Sequence, residues 1–498
     1  MTGTQFLHSL LDQVASLSPQ RPAIRTDTTE MSYGELSSQT CRAASWLSTA
    51  GICRGDRVLI VLPNGLPLVT LIVAASRIGA IFCVVNPSVK TVQLRHILED
   101  AQPSIVLTTV AKADELAENS RCPVFDVEAV WPDILGAPVL CQSAAAISQD
   151  IACLIYTSGS TALPKAVVST HRNILFATAA IQNRLGLRQT DVIATVIPLS
   201  FDYGLYQFFL TLHAGATIAL GNATEAGPQL LPALRRWNAT VLPIVPSLGL
   251  SLTELVRRDR KNLPPLRMIT NTGAKLHAST ITRLQNLFPD AQIFVMFGLT
   301  ECKRTSILDP SDYARKPDSV GRPLPDTECL IIGPDGKVLP AGEIGELVVR
   351  GPHVMSGYWR APELTANRFR RWGSGSEYAL FTGDSCHIDA DGYLYFHGRN
   401  DDIYKQSGFR VSAIEVEAAA YAVDGVEHAA LLPPKDDEAA TLIVSGLISE
   451  TSVLIGLQKR LEDFKIPSRI LVAPNMPLSV NGKIDKHELR RSVMESAS

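Results

Sequence analysis

The hydrophobic residues in the first three quarters of the chain occur as short apolar runs separated by longer stretches of helical periodicity. The runs are Val58–Leu62, Ile105–Leu107, Val192–Ile197, Thr217–Leu220, Met268–Thr270 and Ile293–Met296. They are bounded by Pro, Gly or Asn, as buried strands are, and most gaps between them are long enough for a helix. The pattern therefore predicts βαβ units and a mainly parallel sheet.

Two segments of this region predict individual helices. Ser32 and Glu35 form a capping-box pattern, and the helix that begins there is expected to stop at Gly51. The apolar stretch from Leu66 to Val85 approaches the length of a membrane span, but Arg77 lies near its middle. Because a central Arg costs about 2.5–3.5 kcal/mol on insertion, we expect a buried helix followed by a strand, and no membrane span.

From about Ile331 the pattern changes to short strands with tight turns, such as Glu346–Arg350 and Tyr393–His397. Asn400-Asp401-Asp402 is a polar break suited to a hinge, and a second capping-box pattern at Ser412 predicts a helix that ends near Gly425. The expected fold class is α/β. A large N-terminal domain of βαβ subdomains plus a small β-barrel (residues 1–399) precedes a small, mobile α+β C-terminal domain (residues 400–498).

Composition narrows the class of protein only slightly. The 498 residues are 46% hydrophobic and 19% charged, which is ordinary for a soluble globular protein. The net charge of −3 gives no global basic field, so we expect no nucleic-acid partner. The nine cysteines form no C-x-x-C pair, which argues against a zinc ribbon or a dithiol redox site. With no visible signal peptide, we expect a reducing, cytoplasmic location.

A hydroxyl-rich segment follows the strand-like run Ile151–Ile155. Its candidate phosphate-binding residues are Thr157, Ser158, Gly159, Ser160, Thr161 and Lys165. Backbone N–H groups and hydroxyls in such a loop can surround the oxygens of a polyphosphate, and the lysine adds a cation. A plain Ser/Thr-rich turn has the same composition, so composition alone leaves both interpretations open.

The same segment closely resembles the phosphate-binding signature of the adenylate-forming (AMP-binding) enzyme superfamily. That superfamily includes acyl- and aryl-CoA synthetases, luciferases, peptide-synthetase adenylation domains and ATP-dependent amide-bond synthetases. Two positions that are usually glycine there are Ala162 and Ala166 here, which predicts a stiffer loop. The resemblance covers nearly the whole chain, because further motifs occur in the superfamily's order.

The resemblance implies an ATP site and a magnesium ligand. The implied ATP-binding residues are Gly273, Ala274 and Lys275 in an adenine-binding turn, Phe297 and Gly298 beside the adenine, and Asp384 and Arg399 at the ribose. Thr300 would lie near the α-phosphate, and Glu301 would hold Mg²⁺. An aromatic face suits a purine and a carboxylate suits magnesium. As alternatives, Phe297 could belong to the core and Glu301 to a solvated strand end.

Lys483 is the sharpest candidate for a catalytic residue. Asn481-Gly482 predicts a tight, exposed turn, where a lysine is ordinarily only solvated. In the superfamily, a lysine at this position bridges the carboxylate and the α-phosphate as the acyl-adenylate forms. The resemblance also makes Asp401 the hinge residue, about which the small domain would rotate between the two half-reactions. Its acceptor channel would be formed by Ser407, Gly408 and Phe409.

The pocket for the acid is expected near the start of a helix after Pro198. Its candidate residues are Phe201, Asp202, Tyr203, Gly204, Gln207, Pro246 and Leu299. The pair Phe201-Asp202 is similar to the corresponding pair in amino-acid-activating domains, in which the Asp binds the amine of the substrate. Asp202 could equally be a helix N-cap, or a base that takes the proton of an amine acceptor. Aromatic residues hint at a flat, aromatic acid unless they belong to the core, namely Phe201, Tyr203, Tyr206, Phe208 and Phe209.

These motifs predict an ATP-dependent ligase that uses ATP to convert a small carboxylic acid into an acyl-AMP, with release of pyrophosphate. Aryl acids are among the candidate substrates. The acyl group would then pass to a thiol, either CoA or the pantetheine of a carrier protein. The alternatives are an amide-bond synthetase with an amine acceptor and an amino-acid-activating adenylation enzyme. A nucleotide-binding regulator without turnover has only Ala162 and Ala166 in its favour, and the retained Lys483 and Glu301 argue against it.

Overall fold

The computed structural model describes residues 5–139, 146–157, 164–222, 224–373, 378–399, 403–406, 409–434, 439–461, 463–479 and 483–495. The helices in these ranges are Leu7–Leu17, Tyr33–Thr49, Leu66–Arg77, Thr91–Ala101, Val110–Asn119, Val127–Gly136, His171–Leu185, Asp202–Ala214, Leu230–Trp237, Pro246–Arg258, Ala278–Leu287, Pro362–Arg368, Ala413–Tyr421, Glu450–Gln458 and Lys486–Glu495. None of the helices described here is both long enough and apolar enough to cross a bilayer.

Two large sheets contain all six apolar runs that the sequence predicts as strands. The nine-stranded sheet has the order Arg322–Pro323, Lys303–Leu308, Gln292–Leu299, Met268–Asn271, Val241–Ile244, Val192–Thr195, Thr217–Leu220, Pro22–Arg25 and Glu30–Ser32. The six-stranded sheet has the order Val124–Asp126, Ile105–Thr108, Arg57–Val61, Ile81–Val84, Ile151–Thr157 and Lys165–Thr170. Their central strands pair in parallel, which confirms the βαβ pattern.

The change of pattern after Ile331 corresponds to a five-stranded antiparallel sheet. Its strands are Glu328–Ile332, Gly345–Arg350, Phe369–Arg371, Tyr378–Ile388 and Leu394–Arg399. Beyond it lie the hairpin of Ile403–Gln406 and Phe409–Ser412 and the three-stranded sheet of Val426–Leu432, Thr441–Gly446 and Arg469–Val472. Residues after 403 bury a separate apolar cluster that includes Val411, Leu442 and Leu457. We propose that these residues form the small domain, with its boundary near residue 400.

The two capping-box predictions have different outcomes. Ser32 and Glu35 bond each other's backbone N–H groups, which confirms the first one, and that helix ends at Thr49. The second is wrong, because the Ser412 hydroxyl makes no cap bond and instead donates to the carbonyl of His397 at 2.5 Å. That helix also ends earlier than expected, at Tyr421.

The long apolar stretch after Leu66 forms a buried helix and then the strand Ile81–Val84, as predicted. Arg77 is buried at the end of this helix. Its guanidinium donates to Asp12 at 2.9 Å and to the Thr40 hydroxyl at 3.0 Å. A buried charge is tolerated when it is paired and hydrogen-bonded in this way.

Candidate active site

Asp202 is the first residue of the helix Asp202–Ala214, and the N-cap is Phe201, which makes no side-chain cap bond. The alternative that Asp202 caps this helix is therefore wrong. The first turn packs tightly on the preceding loop, because a Cβ on Gly204 would lie 2.3 Å from the carbonyl oxygen of Pro198. Asp202 is only 7% exposed, and its Oδ2 lies 3.8 Å from Nη1 of Arg304.

Most aromatic residues of this helix belong to the core. Tyr203, Tyr206, Phe208 and Phe209 are fully buried in the main apolar cluster. The Tyr203 hydroxyl bonds to Thr270, and the Gln207 amide donates to the carbonyl of Tyr203 at 3.1 Å. Only Phe201 of the five aromatics is partly exposed, so their number does not favour an aromatic substrate.

The side chain of Lys483 reaches these residues from the small domain. The turn that carries it is closed by a hydrogen bond from the Ser479 amide to the Lys483 carbonyl at 2.7 Å. The residue as a whole keeps solvent contact, but its Nζ lies 5.5 Å from the centre of the Phe201 ring. Its Cε is 3.3 Å from the place that a Cβ on Gly273 would take. Asn481 and Gly482 lie outside the described residues.

Two other predicted site residues, Asp202 and Arg399, influence the pKa of Lys483. Desolvation lowers the pKa of its ammonium group, the carboxylate of Asp202 opposes this change, and Arg399 adds to it. Asp202 and Arg399 thus both act electrostatically on Lys483 although the three residues lie far apart in the sequence. The structure brings the predicted lysine to the predicted acid pocket.

Glu301 lies in a compact polar group with Lys165 and Tyr358. The Tyr358 hydroxyl donates to Oε1 of Glu301 at 2.6 Å and accepts from Nζ of Lys165 at 3.0 Å. Nζ also lies 3.6 Å from Glu301 Oε1 and 4.2 Å from the centre of the tyrosine ring. Desolvation lowers the pKa of Lys165, and Glu301 opposes that change. Tyr358 was not among the residues predicted from sequence.

The donor set at Glu301 fits magnesium bound chiefly through a nucleotide. Mg²⁺ is usually held by one or two carboxylates together with substrate phosphates and waters. No group of three or more His, Cys, Asp or Glu residues within the described ranges is arranged to hold a metal by itself. Glu301 would therefore supply the protein's carboxylate, and the phosphates and waters would supply the other ligands.

The predicted phosphate loop connects two antiparallel strands. Thr157 and Lys165 are opposite one another in this hairpin. Ser158, Gly159, Ser160, Thr161 and Ala162 lie outside the described residues. Ala166 lies within the second strand and has no positive φ, so an alanine introduces no strain at this position.

The remaining nucleotide candidates lie on neighbouring strands and turns. Asp384 and Arg399 face each other across two strands, with Nε of the arginine 3.6 Å from Oδ1 of the aspartate. The Phe297 ring packs against Phe396 with 5.1 Å between ring centres. Gly273 follows the strand Met268–Asn271 at φ +89°, a backbone conformation that favours glycine.

The positions of several other predicted site residues do not test the roles proposed for them, and those roles stay predictions. Lys275 pairs with the exposed Asp318 at 3.2 Å, and Ala274 precedes it in the same turn. Thr300 lies in the turn between two antiparallel strands, beside Leu299 and Gly298. Pro246 begins the helix Pro246–Arg258. Asp401, Ser407 and Gly408 lie outside the described residues, and only the backbone of Phe409 is described, in its strand.

Two buried cations, Lys303 and Arg304, were missed by the sequence analysis. They are 1% and 2% exposed and begin the strand Lys303–Leu308. Nζ of Lys303 lies 5.3 Å from the Tyr206 ring centre, and the guanidinium carbon of Arg304 lies 4.7 Å from the Tyr203 ring centre. The sequence gives little signal for this pair, because Lys303 and Arg304 begin the mostly polar run Lys303–Leu308 and only the fold shows that they are buried.

Comparison with known proteins identifies the family of the chain. The family model described as AMP-binding enzyme matches residues 11–359. Feruloyl-CoA synthase from Amycolatopsis sp. is 30% identical over 493 residues, which cover 96% of this chain and 97% of that protein.

Solved structures show the same similarity. VinN is 40% identical with a TM-score of 0.74, covering 79% of this chain and 98% of its own. Its complex with L-aspartate is 39% identical with a TM-score of 0.73, over the same shares of the two chains. ATP-bound MatB from Rhodopseudomonas palustris is 27% identical with a TM-score of 0.87, covering 97% of this chain and 98% of that one.

These matches cover the site as well as the fold. The family match spans the phosphate-loop hairpin, the helix with Asp202 and the turn with Glu301. The predicted fold class and the predicted ATP-dependent activation of an acid are both confirmed. The chain belongs to the AMP-binding enzyme family, and it is an ATP-dependent ligase that activates a carboxylic acid as its adenylate.

Proposed function

We propose that the acid is an amino acid and that Asp202 binds its ammonium group. The observation that carries the proposal is the buried Asp202 carboxylate, which caps no helix and shares its surroundings with Lys483. A buried carboxylate needs hydrogen-bond donors, and the nearest cation to Asp202 among the described residues, Nη1 of Arg304, lies 3.8 Å away, too far for a hydrogen bond. An ammonium group supplies charge-assisted N–H donors for that purpose. The known complex of the similar protein VinN with L-aspartate supports an amino-acid substrate.

In the first half-reaction, an oxygen of the substrate carboxylate attacks the α-phosphorus of ATP. A carboxylate O–P bond forms, the bond between the α-phosphorus and the bridging oxygen breaks, and pyrophosphate leaves with the electron pair. Lys483 is proposed to stabilise the charge that develops on the α-phosphate and the carboxylate. Mg²⁺, held through Glu301 and the phosphates, would neutralise charge on the leaving group.

In the second half-reaction, we propose that a thiol of CoA or of a carrier protein's pantetheine attacks the acyl carbon and AMP leaves. This step would follow rotation of the small domain about Asp401, which withdraws Lys483 and presents Ser407, Gly408 and Phe409. The relative feruloyl-CoA synthase, whose name denotes a CoA thioester as product, supports a thiol acceptor. The use of ATP and a thiol is compatible with the cytoplasmic location expected from the sequence.

ATP–pyrophosphate exchange with matched acids tests the role of Asp202. Each amino acid is compared with the acid that lacks only the amine, in the wild type, in Asp202→Asn and in the exposed control Asp424→Asn. We expect the wild type and Asp424→Asn to prefer the amino acid by at least about 10²-fold in kcat/KM, because a buried site built for a polar group rejects analogues that lack it. Asp202→Asn should lose most of this preference. Equal use of amine-free acids by the wild type would overturn the proposal.

Mass spectrometry of the products tests the acceptor. The enzyme is incubated with ATP, Mg²⁺ and an activated acid, together with CoA, a pantetheine-bearing carrier protein or a simple amine. A thioester as the main product supports the thiol acceptor. An amide formed efficiently in the absence of CoA and carrier protein would show that the acceptor is an amine.

A further inference from the structure

Lys303 and Arg304 place two buried basic side chains beside a single carboxylate; desolvation lowers the pKa of Lys303, and Asp202 opposes that change. Both are almost completely buried. Among the described residues, Nζ of Lys303 and both Nε and Nη2 of Arg304 have no hydrogen-bond partner. Asp202 lies 3.8 Å from Arg304 Nη1, which is too long for a hydrogen bond. A buried cation without a hydrogen-bonded anion is strongly unfavourable, so this arrangement calls for a further anion.

The other groups around the two cations do not supply that anion. The carboxylate of Glu301 is engaged by Tyr358 and Lys165. The Tyr203 hydroxyl bonds to Thr270, and the hydroxyl of Tyr206 is buried without a partner. Cys153 also lies near Lys303, but burial raises the pKa of its thiol to about 11, so it is neutral near pH 7. Among the described residues, the groups near this pair therefore supply one carboxylate for two basic side chains.

We propose that Lys303 and Arg304 bind a second carboxylate of the substrate, so that the acid is an amino dicarboxylate. This inference rests on the proposed function, in which Asp202 binds the ammonium group. A zwitterion with two carboxylates and one ammonium carries a single negative charge, which balances the excess positive charge of the three protein groups. The planar guanidinium of Arg304 can donate two parallel hydrogen bonds to a carboxylate, while Lys303 adds a point charge.

The position of Asp202 fixes the orientation of such a substrate. Its Oδ2 lies 3.8 Å from Nη1 of Arg304, and Nζ of Lys483 lies 5.5 Å from the ring centre of the adjacent Phe201. The ammonium group would thus lie between the two ends of the ligand. The carboxylate at the Lys483 end is activated, and the carboxylate at the Arg304 end provides recognition only. The product would be a thioester or adenylate that keeps a free carboxylate.

Wild-type ATP–pyrophosphate exchange tests the inference without any variant. Aspartate and glutamate are compared with asparagine and glutamine, with uncharged amino acids and with dicarboxylates that lack the amine. We expect kcat/KM to be at least about 10²-fold higher for an acidic amino acid than for its amide, because the amide leaves buried cations unpaired. A preference for an uncharged amino acid would overturn this inference and leave the proposed function intact. Equal use of the amine-free dicarboxylate would instead overturn the role of Asp202.

Variants identify the residues that recognise the second carboxylate. Arg304→Met and Lys303→Met should each raise KM for the acidic amino acid by at least about tenfold and reduce its advantage over the amide. Arg304→Lys keeps the charge but loses the planar fork, so its loss should be intermediate. Unchanged discrimination in a folded Arg304→Met enzyme, verified by circular dichroism, would contradict the assignment of this residue.

Discussion

At the residue scale, Lys483 is the side chain whose removal should affect the two half-reactions differently. In Lys483→Ala we expect acyl-AMP formation to slow by on the order of 10²–10³, because a charge aimed at the transition state is lost. Transfer from chemically prepared acyl-AMP to the acceptor should remain near the wild-type rate. The first rate is measured by pyrophosphate exchange and the second by single-turnover transfer.

The control for this change is Lys459→Ala, which removes an exposed lysine of the same small domain. It should leave both rates unchanged. Near-normal exchange by Lys483→Ala would show that its approach to Phe201 and Gly273 has no catalytic role.

Tyr358 is expected to position Glu301 and Lys165 rather than to touch the substrate. In Tyr358→Phe the ring stays in contact with Phe369, but the hydroxyl that joins Glu301 and Lys165 is lost. A hydrogen bond to a charged group is worth about 1.5–3 kcal/mol, so kcat/KM should fall by about 10- to 100-fold. The Mg²⁺ concentration at half-maximal rate should rise as well.

This shift in Mg²⁺ dependence separates positioning from a merely structural role. The matched control is Tyr378→Phe, which alters an exposed tyrosine and should change neither quantity. An unchanged Mg²⁺ titration in Tyr358→Phe would contradict the link between this hydroxyl and the metal ligand.

At the element scale, the start of the helix Asp202–Ala214 is held by a backbone contact that only glycine allows. A Cβ at Gly204 would meet the carbonyl oxygens of Ile197 and Pro198 at 2.8 and 2.3 Å. Gly204→Ala should therefore cost about 1–3 kcal/mol of stability by overpacking and should displace Asp202. We expect a lower unfolding temperature and a loss of exchange activity.

Gly136→Ala is the matched control, because no atom of the described residues lies within 4 Å of the added Cβ at the end of the helix Val127–Gly136. Its unfolding temperature should stay close to that of the wild type. An equal effect of the two substitutions would show that the contact with Pro198 does not constrain the helix start.

The elements also show which features the sequence could predict. Continuous apolar runs predicted the strands because burial on both faces of a parallel sheet requires them. Ser412 had the same local pattern as Ser32, but its hydroxyl bonds to the distant carbonyl of His397. Local patterns cannot reveal such a tertiary competitor. The contacts of Tyr358 and Arg304 likewise join residues from separate strands and helices, which explains why sequence analysis missed these two residues.

At the scale of the whole molecule, the proposed small domain contacts the preceding part of the chain at more places than the proposed catalytic Lys483. The rings of His277 and Tyr421 stack with 3.7 Å between their centres. The Ser412 hydroxyl also bonds to the strand Leu394–Arg399. These contacts and the approach of Lys483 to Phe201 describe an arrangement suited to adenylate formation.

Three buried histidines and the partly buried His277 make the stability of the folded chain depend on pH. Burial lowers the pKa of His8, His171, His277 and His353 to about 4, from an ordinary value of 6.5. Between these two values the unfolded chain binds more protons, so the free energy of unfolding should fall as the pH decreases from about 6.5 towards 4. Denaturant unfolding at pH 7 and pH 5 measures the decrease.

His353→Gln removes one of these titratable groups. Within the described part of the chain, neither ring nitrogen of His353 has a hydrogen-bond partner, so the substitution breaks no hydrogen bond seen there. The variant should therefore show a smaller loss of stability between the two pH values than the wild type. Stability that is constant or increases towards pH 5 would contradict the burial of these neutral histidines.

The most direct test of the central claim is a crystal structure with a non-hydrolysable aminoacyl-adenylate analogue. We expect the ammonium group of the analogue to lie within about 3 Å of the Asp202 carboxylate, which is the distance of a charge-assisted hydrogen bond. We also expect Lys483 to lie beside the acyl oxygen and the oxygens that mimic the phosphate. An ammonium group directed away from Asp202, or an adenylate without Lys483 beside it, would contradict the claim that this cleft activates an amino acid.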